Sequence, residues 1–171
     1  MSSEWRMTES MIDREDAIRN LAIGDIFHAH APNGASLVCL VTSLSESRIC
    51  ARRIPTQEDL EFDRRTGVEI GPIRSRIDSV APLPEDIYQI FVAMDRKNAE
   101  ICRDVRLGIR LEDVPERSKL NGDERRALLF LHSHYASNRL QQSDGAGPPE
   151  HADTQDDDVS RILVHFLISK N

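Results

Sequence analysis

The chain has 171 residues, of which 39% are hydrophobic and 30% charged; this bounds it at one domain with a modest core and room for an extension. Aromatic residues make up 5%, which argues against a platform that stacks single-stranded bases. The net charge is −7, yet residues 142–158 hold six acids and no Lys or Arg, so the remainder carries only −1.

The first predicted element is a helix ending near Leu21, with Ile12, Ala17, Ile18 and Leu21 on one side and Gly24 where a C-cap glycine would fall. From Asp25 the period becomes strand-like. Residues 25–30 read as a strand, and Asn33-Gly34 is a strong hairpin turn signal. Ser36 to Thr42 is almost continuously apolar, as a strand covered on both faces would be. Residues 48–54 read as a third strand, stopped by Pro55. Residues 60–63 and 68–70 flank Arg64-Arg-Thr-Gly67, which suits a four-residue hairpin turn. Residues 73–80 alternate and read as a final strand.

Ile23-Gly-Asp-Ile26 resembles the start of SH3-like small barrels, where a Gly-Asp turn launches the first strand. The likeness covers four residues and bears on fold alone.

After Pro84 the pattern is helical. Ile87, Ile90, Phe91, Met94, Ile101, Cys102 and Val105 follow helical spacing, with Glu85 and Asp86 in the acid-favouring first turn. Residues 106–120 read as a loop. Asn121 is placed to cap a second helix over 122–141, with Ala127, Leu128, Leu131 and Tyr135 on its apolar side and Leu129 and Phe130 widening it. Residues 142–158 read as a disordered acidic linker. Val159, Ile162, Leu163, Phe166 and Leu167 then repeat at helical spacing. The predicted class is therefore α+β. It comprises an N-terminal helix (1–21), a small SH3-like β-barrel of five or six short antiparallel strands (22–82), a helical hairpin (83–141), the linker (142–158) and a C-terminal amphipathic helix (159–171).

Candidate chemistry is sparse. Cys39, Cys50 and Cys102 form no C-x-x-C, which argues against a disulfide framework or a cysteine zinc site. Their apolar surroundings would also blunt thiolate reactivity. His28 and His30 share one face of a strand and are a weak metal-binding pair. His132 and His134, two apart on a helix, diverge by roughly 200°. No nucleophile elbow, phosphate loop or dinucleotide fingerprint occurs. Glu58, Asp59, Glu61 and Asp63 lie near arginines that would lower their pKa values, the wrong direction for general acid work. Residues 52–67 hold four arginines against four acids, so that stretch is balanced rather than basic, and Arg52-Arg53 is expected to be neutralised by the acids that follow. Arg64 and Arg65 at a hairpin tip, with Arg74 and Arg76 nearby, form the candidate edge for an anion or nucleic acid.

The expected function is a non-catalytic binding or regulatory module. It would work through protein–protein contacts and self-association, using Ile162, Leu163, Phe166 and Leu167. The alternative is a nucleic-acid-binding small barrel with nuclease activity on the Arg-rich hairpin. The expected partner is a second copy or another protein ahead of nucleic acid, with no cofactor and no membrane. The opening Met1 to Arg6 lacks the apolar run of a signal peptide, so the expected location is cytoplasmic.

Overall fold

The computed structural model describes residues 14–140. The expected linker, the terminal helix with Ile162, Leu163, Phe166 and Leu167, and the start of the first helix lie outside the described residues. A helical segment at 14–19 (α1) leads into five strands: β1 (Ile26–His30), β2 (Ser36–Leu44), β3 (Arg48–Arg53), β4 (Asp59–Asp63) and β5 (Arg76–Ser79). Then come α2 (Glu85–Leu107), a 3-10 turn at Leu111–Asp113, the single turn α3 (Val114–Arg117), and α4 (Gly122–Ser137).

The strands form one antiparallel sheet in the order β4-β3-β2-β1-β5. It curls into a half-barrel, because the 67–70 stretch hydrogen-bonds to β4 on one side and to the 75–77 stretch on the other. Ile70 N–H donates to Glu61 O at 2.7 Å, and Glu69 N–H donates to Ser75 O at 2.7 Å. The expected strand at 68–70 is thus reduced to two isolated bridges, Phe62 to Glu69 and Val68 to Arg76. The last strand starts at Arg76 rather than Ile73, since Arg74 takes a left-handed φ of 61° that breaks the extended run.

The alternation of β2 explains its continuous apolar run. Leu37, Cys39 and Val41 enter an inner core with Phe27, Ala29, Ile49, Phe62 and Ile77. Val38 and Leu40 enter an outer core with Ile54, Phe91, Met94 and Leu131, so α2 and α4 cover the sheet's second face. Each such side chain, fully buried, contributes roughly 1.5–3 kcal/mol. Phe27 and Phe62 meet edge to face, 5.3 Å between centroids. The α1 segment closes the inner core with Ile18, joined by Leu21 just beyond it. It ends earlier than expected. Gly24, at φ 92°, serves the turn into β1, where its amide donates to Val41 O at 2.9 Å.

Helix α4 begins as its sequence implies. Asn121 Oδ1 accepts from Glu124 N–H at 2.8 Å, and the Glu124 carboxylate accepts from Asn121 N–H at 3.0 Å, a complete capping box. Ala127, Leu131 and Tyr135 are buried, while Leu129 faces solvent. The expected loop at 106–120 holds more order than anticipated, including the 3-10 turn and α3. Among the described residues no helix is long and apolar enough to cross a membrane.

Arg52 is not neutralised by the acids that follow it. Its guanidinium makes a two-pronged pair with Asp95 of α2, Nε to Oδ1 at 3.0 Å and Nη2 to Oδ2 at 2.7 Å. Gln57 donates to the same carboxylate at 2.8 Å, and Asn98 donates to Ile54 O at 3.0 Å. This clamp fixes the sheet against α2. Arg53 does approach a following acid, Glu58, at 3.9 Å.

Candidate functional site

The most concentrated chemistry lies where β1, β5 and the end of α4 meet. Ala29 and Ile77 pair across the strands and point into the inner core. The register then slips: Ala29 faces Ile77 and His28 faces Ser79, so Asp78 is the extra residue of a β-bulge. Alternation from Ile77 puts Asp78 on the other face, beneath both strand histidines, and the bulge leaves it as the unpaired residue there. His28 Nδ1 lies 2.5 Å from Asp78 Oδ1, and His30 Nδ1 lies 3.3 Å from Asp78 Oδ2. Arg139, just past α4, brings Nε to 4.0 Å from Oδ2. Leu140 N–H closes over the bulge by donating to Asp78 O at 2.7 Å. Tyr135 packs its ring against His28, 5.3 Å between centroids.

The Asp78 side chain is only 3% exposed. Burial alone would raise its pKa, but the hydrogen bonds from His28 and His30 and the charge of the two rings outweigh it and bring the value down to about 2. An ionised carboxylate only accepts, so both Nδ1 atoms carry their protons and point inward. Each ring therefore has Nε2 as its remaining nitrogen for any ligand or proton. Burial, then the Asp78 charge, pushes the Tyr135 hydroxyl up. Beneath β5, Arg14 donates to Ile77 O at 2.8 Å and to Thr66 O at 3.2 Å. Burial and the nearby Arg76 lower its pKa to about 10. Ser79, opposite His28, gives its hydroxyl to Asn138 O at 3.0 Å, which engages it with main chain rather than poising it as a nucleophile. Cys39 is fully buried, and burial pushes its thiol up to about 12.

The candidate residues fall into two groups. Arg76 sits opposite His30 in the ladder and so shares its face. Arg64 and Arg65 lie in the 64–66 turn. Arg64 donates to Ser45 O at 2.5 Å and to Arg19 O at 3.2 Å, and Arg65 comes within 3.9 Å of Glu15. Arg74 is exposed in the bend before β5. His28 and His30 converge on one carboxylate. Among the described residues, no group of three or more His, Cys, Asp or Glu is placed to hold a metal ion. Asp63 has its pKa lowered by the turn it caps, chiefly by the Thr66 amide, with the charge of Arg65 contributing least.

The chain matches no protein-family model, no curated protein and no solved structure. Any functional reading therefore rests on its own residues.

A second feature is apolar. Leu107, Ile109 and Leu111 are 66%, 46% and 43% exposed. Gly108, left-handed at φ 68°, ends α2, and Arg110, left-handed at φ 51°, follows. Ile109 N–H donates to Asp104 O at 2.9 Å, and Arg110 Nε donates to Asp113 at 3.0 Å. These ties hold the three side chains outward in a defined turn. Neither this ledge nor Asp78 is marked in the sequence. Ile73 to Val80 alternated like any half-solvated strand, and nothing local marked a bulge.

Proposed function

We propose that the chain is a non-catalytic binding module, built on an SH3-like small barrel, that acts through protein–protein contacts and self-association. The observation that carries this reading is the ledge of Leu107, Ile109 and Leu111. Apolar side chains clustered on a fixed turn outside the core mark contact surfaces, and left-handed backbone at a non-glycine residue costs roughly 1–3 kcal/mol. Arg110 keeps that conformation and holds the ledge out.

The occupant we assign to the ledge is the apolar segment with Ile162, Leu163, Phe166 and Leu167 from a second copy. His134 Nε2 lies 3.0 Å from Pro82 O, so α4 ends beside the start of α2. The ledge is at the far end of α2, 23 residues away, or about 34 Å at the rise of a helix. The ledge thus lies far from the end of α4 in the same chain, which favours a segment from a second copy.

Sedimentation of the full chain across a concentration series tests this. The expected result is a reversible dimer that becomes monomeric in Leu107→Glu with Ile109→Glu, and equally in Phe166→Glu with Leu167→Glu. A wild type that stays monomeric up to about 1 mM, the weak end of specific association, would overturn the reading. So would a dimer that both double variants leave intact.

The nucleic-acid alternative has less support. Arg48 pairs with Glu61 at 2.7 Å, Arg52 with Asp95, and Arg64 with main-chain carbonyls, so these guanidinium groups are engaged within the protein.

A further inference from the structure

We infer that the face formed by His28, His30, Arg76 and Arg139 is a binding site for a phosphate group. This inference is independent of self-association. Five basic side chains, His28, His30, Arg14, Arg76 and Arg139, gather around the single buried carboxylate of Asp78. Both oxygens of Asp78 already face imidazoles, and the Arg139 guanidinium approaches one of them. Glu69, the other buried acid nearby in sequence, accepts from Ser75 N–H at 3.0 Å. Tyr135 stays a neutral phenol. The groups facing the histidines from β5 and α4, with Arg14 beneath the sheet, therefore leave a net positive field.

One donor on this face lacks a partner. Arg76 Nε is buried without a hydrogen-bond acceptor among the described residues, and an anion at this face would supply one. The same geometry decides between anion and metal. Neutral rings with Nδ1 held by a carboxylate would present bare Nε2 atoms, as metal ligands do. Two guanidinium groups, those of Arg76 and Arg139, oppose a divalent cation there. The arginines instead suit an oxyanion, while Asp78 holds each ring by Nδ1 from behind and leaves Nε2 as the nitrogen on the open side. Arginine forks suit phosphate geometry.

The test is to follow the histidine ring nitrogens of the full chain by NMR at pH 6, exchanging sodium chloride for sodium phosphate at constant ionic strength. The expected result is a saturable shift of His28 and His30 Nε2, with exposed His132 unmoved. Arg139→Gln should weaken phosphate about tenfold, in keeping with the loss of one charged hydrogen bond, and Arg76→Gln should do the same. Arg65→Gln should have no effect. Arg139 is 41% exposed, so its variant folds even if Arg76→Gln does not. Added phosphate should also raise the melting temperature of the wild type more than that of Arg139→Gln. Three results would overturn the inference. These are no saturable shift by about 50 mM phosphate, far weaker than a built site gives, unchanged affinity in Arg139→Gln, or saturable zinc binding at the two rings in place of phosphate.

Discussion

Gly67→Ala probes how closely α1 is packed against the turn before β5. Gly67 is left-handed at φ 69°, and placing alanine in that conformation costs about 1 kcal/mol. The added Cβ would also lie 2.7 Å from Ile18 Cδ1, 3.1 Å from Arg14 Nη2 and 3.3 Å from Ile77 Cβ. None of these neighbours gives way easily. Ile18 is fully buried, and Arg14 is held by two carbonyls. Overpacking of this kind adds about 2 kcal/mol, for a total of about 3 kcal/mol, or about 9 °C in Tm. Gly108 supplies the control. Its φ of 68° is nearly the same, but nothing lies within 4 Å of an added Cβ, so Gly108→Ala should cost only about 1 kcal/mol. Urea unfolding of both variants measures the difference. Ile18→Val removes the nearest clashing atom, so in the Gly67→Ala background it should recover about 1 kcal/mol. Equal costs at Gly67 and Gly108, or no coupling to Ile18, would refute the packing of α1 on this turn.

Asp95→Ala should destabilise the fold by about 3 kcal/mol in chemical unfolding, because Arg52 and Gln57 lose a shared acceptor. Arg52→Lys should recover little of the pair, since an ammonium cannot span both oxygens. Asp78 is held at about 2, below its ordinary 3.8, so its contribution of about 2 kcal/mol is fully present above pH 4 and is lost as pH falls through 2. Urea midpoints at pH 5 and pH 3 should therefore fall less in Asp78→Asn than in the wild type. With Cys39 buried and its thiol at about 12, a disulfide reagent at pH 8 should modify it only on unfolding, as peptide mapping of the labelled native protein will show.

Much of the fold follows from local signals. Period-two alternation marked the strands, the continuous run at 36–42 marked a strand buried on both faces, and Asn121 with Glu124 marked a helix start that formed as a capping box. Long-range chemistry was not legible. Arg52 lies 43 residues from Asp95, so sequence reading matched it with acids next door. His28 lies 50 residues from Asp78. The histidines could be placed on one face, but only the pairing of β1 with β5 brings a carboxylate under them. A bulge is a register slip between two strands, and a single strand's pattern does not carry it. Arg74 and Arg110 adopt left-handed backbone without being glycine, and residue type gives no hint of either.

The position of β2 bears on how this molecule comes apart. It is hydrogen-bonded along both edges, to β1 and to β3, and its two faces are walls of two different cores. Neither core can open without baring one side of the same strand. Amides near its centre are expected to exchange with solvent only when the whole molecule unfolds, and those of the 67–75 stretch well before them. The half-barrel and the helical layer thus share a single cooperative unit, and a lesion in either is felt by both.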